Sequence, residues 1–585
     1  MSDSFDPIAF ELFKNSLFSM TDDMALTIFR TTYSGVLKDN MDYSTGFADA
    51  DGRLVAQGLT LPGHLGSVPT ALASIMRHFG DDMGPGDVFI MNDPFDGGMH
   101  LPDIFIFKPL YHGGERLAFA CTCCHHSDVG GRVAGSNASD STEIYAEGLR
   151  IAPMKLYEAG KLNKTIMTFI EKNVRLPVQV QGDLRAQLAA CHIAETQFAD
   201  LVAKYGTART KTLMAEVLDH AERLTRAELA KLPDGEWSFE DFIDDDGIDY
   251  GKPIRLFVTL RKAGDSLVAD WTGTSAQVKG AINNTASFTK AATFTCLKSV
   301  LAHDVLCNAG FYRAIDVIAP PGTIANGVLP AASAARGLTG FRMLDTCFGA
   351  LAQMLPDRSI AASEGGNTGV SIGGYYPDRR PFIFVEFICS AWGGRAWADG
   401  LDGNANMLAN MSLPPVEITE AEQPLQILCT EFIQDVGGPG KYRGGMSIRR
   451  DYKLLAEEAV LQVRADRHDI RPYGLYGGQP GRPAHNVLNP GPDAQELPGK
   501  LTMTMKQGDV FRHEQPGPGG WGDPLARDPE RVLRDVRNEF VSVDAARDAY
   551  GVVIDVKSCT VDHPGTVQRR EELRTRGSRA PVVQR

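Results

Sequence analysis

Residues 104–126 read IFIFKPLYHGGERLAFACTCCHH, two apolar runs that meet at Gly113-Gly114. That pattern predicts a β-hairpin, in which successive side chains point to opposite faces. Cys121 and Cys123 then share one face and Cys124 takes the other; of His125 and His126, only one can face a given site. Just upstream, HLPD sets His100 and Asp103 three apart around Pro102. Proline is disfavoured inside a helix, so a tight turn presenting both side chains to one side is the simpler reading. VFIMND reads as another strand, and DYSTGFADADGRLVAQG as a hairpin turning at Asp51-Gly52. With a helix predicted over Ile8 to Thr31, the first 150 or so residues read as a sheet packed on one or two helices.

The pattern turns helical between Leu156 and Leu232, one run ending at Lys204-Tyr205-Gly206 and a second covering Arg209 to Leu232. Period two returns from Trp237, so a boundary is placed near Pro233. Another helix is expected over Thr289 to Leu301, and a sharp loop at Pro320-Pro321-Gly322. Glycine strings follow, among them EGGNTGVSIGGYY, GGPGKYRGG, LYGGQPGRP and PGPGGWGDP, read as ordered loops between short strands because aromatic and β-branched residues intervene. At 585 residues the chain exceeds what one core usually supports. The expected class is α+β and multi-lobed: a metal-binding α/β region over 1–155, a helical region over 156–232, a β-rich region with a helix over 233–330, a glycine-rich mixed region over 331–565 and a frayed tail over 566–585.

Composition narrows the function. A formal charge of −14, with 59 basic against 73 acidic residues, argues against a nucleic-acid surface. No apolar run is long enough for a membrane span and the N-terminus is acidic, so a cytoplasmic location is expected. Ten scattered cysteines do not form a disulfide framework, and most are expected to be small buried hydrophobes.

His100, Asp103, His125, His126 and Asp128 fall within 29 residues. An imidazole, a carboxylate and a second imidazole leave coordination positions open, as a hydrolytic metal site requires. The plain alternative for any one histidine is a satisfied core group. Thiolate ligation lacks a second cysteine pair, and Cys124 cannot reach the face of Cys123. Asp244, Asp246 and Gly247 resemble the middle of a calcium loop, but Phe242 and Pro253 stand where carboxylates should be, so a hairpin turn is preferred. GGPGK runs into Tyr442 instead of Ser or Thr, so there is no P-loop.

The ordered series MDYSTGFADADGRLVAQG, LPGHLGSVPTAL, GDVFIMNDPFDGGMHLPDIF, HHSDVGG, AEGLRIAP, NVRLPVQVQGDLRAQLAAC, WTGTSAQVKGAIN, GGPGKYRGG and PGGWGDPLARDPERVLRDV resembles the hydantoinase B / 5-oxoprolinase family. The resemblance runs from about residue 5 to residue 550. It implies metal ligands at Asp42 of DYS, His100 and Asp103 of HLPD, and His125 of HHSDVGG. The implied ion is a single divalent one, zinc, with manganese or iron as alternatives. His126 or Asp128 would move a proton or orient a ligand. The resemblance further implies a partner, an A-type subunit with an actin-like ATPase fold that uses ATP to phosphorylate the substrate oxygen, in an α2β2 assembly acting on a cyclic amide. Glycine loops 365–369 and 437–445, with Lys441 and Arg443, are candidates for phosphate contact. A ketone carboxylase subunit using the same metal, and a non-catalytic scaffold of the ATPase, are the alternative readings.

Overall fold

The computed structural model describes residues 6–366 and 368–577. A seven-stranded antiparallel sheet organises the N-terminal third: β1 (Tyr43–Asp49), β2 (Leu54–Gln57), β3 (Val88–Met91), β4 (Asp103–His112), β5 (Glu115–His125), β6 (Met154–Glu158) and β7 (Lys161–Leu162). Their spatial order is 2-1-5-4-3-6-7. β4 and β5 form the predicted hairpin across Gly113-Gly114, with Asp103 opposite His125.

The helix Pro7–Thr31 starts where the Asp6 carboxylate accepts from the amides of Ile8 and Ala9 and Pro7 presets the first turn. With Pro177–Tyr205 and Thr207–Leu229 it covers one face of the sheet, packing Phe13, Leu17, Phe198 and Val217 against Ile104, Ile106 and Cys124. The opposite face, carrying Phe105, Phe107, Cys121 and Cys123, shares a core with Leu72, Phe288, Ala292 and Phe341. The cysteine faces are those that the alternation predicts.

Two parts differ from the sequence reading. Residues from Leu156 were expected to be helical, yet β6 and β7 extend the sheet beside β3 and the helix begins only at Lys164. Only Leu156 of β6 is fully buried, so this short edge strand shows no clear alternation. The expected division at 155/156 therefore falls inside β6. The helix Gly337–Met354, absent from the sequence reading, is buried along almost its whole length, so it has no polar face to create a 3.6-residue stripe.

That helix packs on a second sheet of Gly235–Ile243, Ile254–Ala263, Ser266–Asp270 and Ile315–Ile318. Two larger sheets, of four and five strands, share a core of Val370, Ile372, Phe384, Leu461, Tyr452 and Phe511 in the C-terminal half, which ends in a two-stranded ribbon of Ile554–Asp555 and Thr560–Val561. The glycine strings are loops packed backbone against backbone. A Cβ at Gly517 would lie 1.7 Å from the Val436 carbonyl oxygen, and one at Gly519 would lie 1.9 Å from that of Tyr473. Residues 563–577, within or next to the tail expected to fray, form a helix. Arg570 of that helix donates to the carbonyls of Tyr550 and Arg527. The rest of that tail lies outside the described residues. No helix among the described residues is long and apolar enough to cross a membrane.

Candidate metal centre

Three neighbouring strand ends build the site. Asp42 precedes β1, Asp103 opens β4 and His125 closes β5; the His125 amide donates to the Asp42 carbonyl at 3.0 Å. The strand order β1-β5-β4 thus lines up the three side chains on one face. HLPD forms the predicted turn, its Asp103 amide donating to the His100 carbonyl at 3.1 Å. Asn92 pins that turn by donating to the Leu101 carbonyl at 2.6 Å while accepting from the Ile151 amide.

The side chains converge. Asp103 Oδ1 lies 3.1 Å from His100 Nε2, 3.2 Å from His125 Nδ1 and 3.7 Å from His64 Nε2. Asp42 Oδ1 lies 3.3 Å from His64 Nε2, and Asp42 Oδ2 is 3.7 Å from His125 Nδ1. All five residues are buried. His64 was not among the candidate residues of the sequence reading, although it lies in LPGHLGSVPTAL; it sits on the short helix Pro62–Leu65, too far along the chain for spacing to link it to the others.

Outer contacts orient the rings. The Ser44 hydroxyl donates to the Leu61 carbonyl, so it accepts from His64 Nδ1 at 3.2 Å and leaves His64 Nε2 as a lone pair facing the carboxylates. His100 Nδ1 donates to the Ala334 carbonyl at 2.9 Å, which likewise frees Nε2. The Ala334 amide is in turn held by Glu147, whose carboxyl burial pushes up to about 8. The Asn137 side-chain nitrogen donates to His125 Nε2 at 3.1 Å, and His125 Nδ1 faces Asp103 Oδ1 at 3.2 Å.

Electrostatics agree with a cation site. Burial lowers His64 to about 4 and His125 to about 3, so both rings are neutral near pH 7. Burial, reinforced by the Asp103 charge, raises the Asp42 carboxyl well above its usual range. Burial also opposes charge on Asp103, but His100 and the Arg336 guanidinium outweigh it and hold that carboxyl well below its usual range. Arg336 pairs with Asp103 Oδ2 and stacks 4.1 Å from the Phe288 ring. Asp42 Oδ1 is buried without a hydrogen-bond partner. A buried carboxylate oxygen left open beside the inward ring nitrogens of His64, His100 and His125 fits a divalent cation. Cys123 also lies beside His64 and Asp103, but burial and the neighbouring carboxylates keep its thiol protonated.

His126 and Asp128 lie outside this cluster. His126 points to the opposite face, where Nε2 meets the Gln187 side-chain oxygen at 3.1 Å. Asp128 accepts from the Arg175 amide at 2.6 Å and its guanidinium at 2.8 Å. Of the loops considered for phosphate, Arg443 is committed to Asp402 and Asp535. The Asp244 carboxylate accepts from the amides of His468 and Ile470, and Asp246 from those of Ile248, Asp249 and Gly280. Both carboxylates brace loops through backbone amides.

The fold and cluster together define a multi-sheet protein with a buried histidine–carboxylate centre at the ends of three antiparallel strands. The chain belongs to the hydantoinase B/oxoprolinase family, whose model matches residues 6–524. An uncharacterised protein of Methanocaldococcus jannaschii is 35% identical over 98% of this chain and 100% of its own length. The caprolactamase subunit beta of Pseudomonas jessenii is 31% identical over 94% and 96%. The crystal structure of the ATP-dependent caprolactamase from Pseudomonas jessenii matches with a TM-score of 0.91 at 28% identity, covering 97% of this chain and 100% of that one. A nucleotide-free acetone carboxylase structure shares the fold, with a TM-score of 0.91 at 20% identity over 98% and 84%.

Proposed function

We propose that this chain is the hydrolytic, B-type subunit of a cytoplasmic ATP-dependent cyclic amide hydrolase. Its partner is an A-type subunit with an actin-like ATPase fold, in an α2β2 assembly. The partner phosphorylates the amide oxygen, which makes the ring carbon far more electrophilic than in a resonance-stabilised amide, and this chain opens the ring. The observation that carries the reading is the convergence of Asp42, His64, His100, Asp103 and His125 with one carboxylate oxygen unpartnered. Relatives that act on lactams support the substrate class.

A divalent ion held by these donors would supply Lewis acidity and make adjacent water a stronger acid. Zinc suits three protein donors with an open position; all five binding would favour manganese or iron. Ser44, the Ala334 carbonyl and Asn137 orient the three imidazoles, while Arg336 fixes Asp103. Phe288, Phe341, Phe387 and Leu338 wall a cavity of about 50 Å³ beside the cluster, limiting water and strengthening electrostatic contacts there. In this reading His126 and Asp128 are positioning residues: Asp128 ties the loop after β5 to Arg175, and His126 ties it to Gln187.

The test is metal analysis of the purified chain, then assay of the assembled complex against a panel of cyclic amides with and without bicarbonate. One divalent ion per chain and bicarbonate-independent ring opening are expected. In His100→Ala both should collapse while ATPase activity of the complex survives at least in part. Turnover that consumes bicarbonate would replace this reading with a carboxylase, and a chain holding no ion would replace it with a scaffold.

A further inference from the structure

Arg464, at the end of the strand Glu458–Arg464, lines the same cavity as Asp42, His64, His100 and His125. Its guanidinium is buried and has no carboxylate partner among the described residues. Nη1 donates to the Asn137 carbonyl and the Ser371 hydroxyl, each at 3.0 Å. Nη2 is buried with no hydrogen-bond partner. A Cβ at Gly369 would lie 2.1 Å from Nη2, so a glycine there leaves the space the guanidinium occupies. Nη1 is anchored on the backbone of the residue whose side chain contacts His125, and the guanidinium carbon lies 5.7 Å from the Phe387 ring. Burial pushes the Arg464 guanidinium down with no neighbouring charge to offset it.

An unpaired buried cation is costly unless an anion joins it. Arg336 is already paired with Asp103 and keeps only its Nε without a partner, whereas Arg464 has no carboxylate and a whole Nη2 amino group to spare. The charge around the cavity also indicates which anion fits. A divalent ion bound beside Arg336 and Arg464 would leave positive charge in excess of the two carboxylates there, Asp42 and Asp103. That excess suits a dianion, and the planar fork of arginine matches phosphoryl oxygens.

We propose that Arg464 is the anion-recognition residue of this cavity and takes the phosphoryl group of the activated substrate. The proposal rests on the function proposed above for the source of that group, but the anion site can be measured without turnover. The full-length chain loaded with manganese(II) is titrated calorimetrically with inorganic phosphate and, in parallel, with acetate, alongside Arg464→Gln at equal metal content. Phosphate should bind more tightly than acetate, and Arg464→Gln should weaken phosphate by at least about tenfold, the scale of a lost charge-assisted bond. Equal phosphate affinity in the variant, or acetate bound as tightly as phosphate, overturns the proposal.

Should Arg464→Gln fail to fold, crystals of the unaltered chain soaked in selenate decide the point. An anomalous peak against the Arg464 guanidinium supports the site, and a chain that binds selenate elsewhere or nowhere refutes it. A chain that holds its ion but ignores phosphate defeats this inference alone. A chain that holds no ion defeats the proposed function.

Discussion

Two regions of this molecule bury charge, and they treat it differently. In the C-terminal half Arg467 meets Asp241 at 2.8 Å and Asp345 at 3.5 Å, Arg342 meets Asp466 at 2.6 Å, and Lys500 meets Asp466 at 2.8 Å. Each of those cations has a carboxylate, and together they join the helix Gly337–Met354 to three segments of the surrounding sheets. In the N-terminal cluster two carboxylates and three neutral imidazoles meet one paired guanidinium, and an oxygen of Asp42 stays open. In the first arrangement every cation is matched by a carboxylate, and it serves the fold. The second has donors pointed at a common centre, which is the condition of a site built to receive something.

Breaking the hub of the open site should have the largest effect. Asp103→Ala removes the contact shared by His64, His100, His125 and Arg336; it should lose its ion by elemental analysis and lower ring-opening turnover by about 10³-fold. The matching change in the closed network, Arg467→Met, should cost about 3–5 kcal/mol in denaturant unfolding by stranding Asp241 and Asp345, with metal content unaltered. If Arg467→Met instead emptied the metal site, the two regions would not be separable.

The buried histidines of the molecule respond to acid with one sign, and the raised carboxyls of Asp42 and Glu147 with the other. His64 and His468, at about 4, and His125 and His513, at about 3, titrate below the unfolded value near 6.5. Their contribution is therefore present above about pH 6.5 and is lost as the pH falls toward 4, because the unfolded chain takes up protons that the folded chain refuses. The slope of the denaturant midpoints of the chelator-treated chain at pH 7, 6 and 5 sums this loss with the opposite contribution of the raised Asp42 and Glu147 carboxyls. His125→Gln should remove from that slope at most about 1.4 kcal/mol per pH unit of the loss. Asn137→Ala, which releases one imidazole, should weaken metal affinity by about 10–100-fold in a competition titration. Cys123→Ala should leave metal content unchanged, and loss of the ion there would bring the thiol into the ligand set.

Much of the open site was legible in the sequence because the chemistry sits on one hairpin. Alternation and a two-glycine turn allow only one of His125 and His126 to face Asp103, the family resemblance picks His125, and HLPD with its internal proline reads as a turn. Asp42 came from the family resemblance, since nothing in its spacing links it to the hairpin. The early helix, the hairpins and the glycine loops were legible for the same local reasons. The helix Gly337–Met354 escaped because burial on every side erases periodicity, and β6 escaped because an edge strand with one buried residue has none.

The sequence by itself thus determined the two hairpins and placed His100, Asp103 and one of two adjacent histidines near one another, since backbone sterics and side-chain period act over a few residues; the resemblance singled out His125 and Asp42. Only the tertiary structure decided that His64, Arg336, Asn137 and Arg464 join that core. Those contacts span tens to hundreds of residues of chain, and burial, which a linear pattern does not encode, sets the charge and hydrogen-bond state of each group.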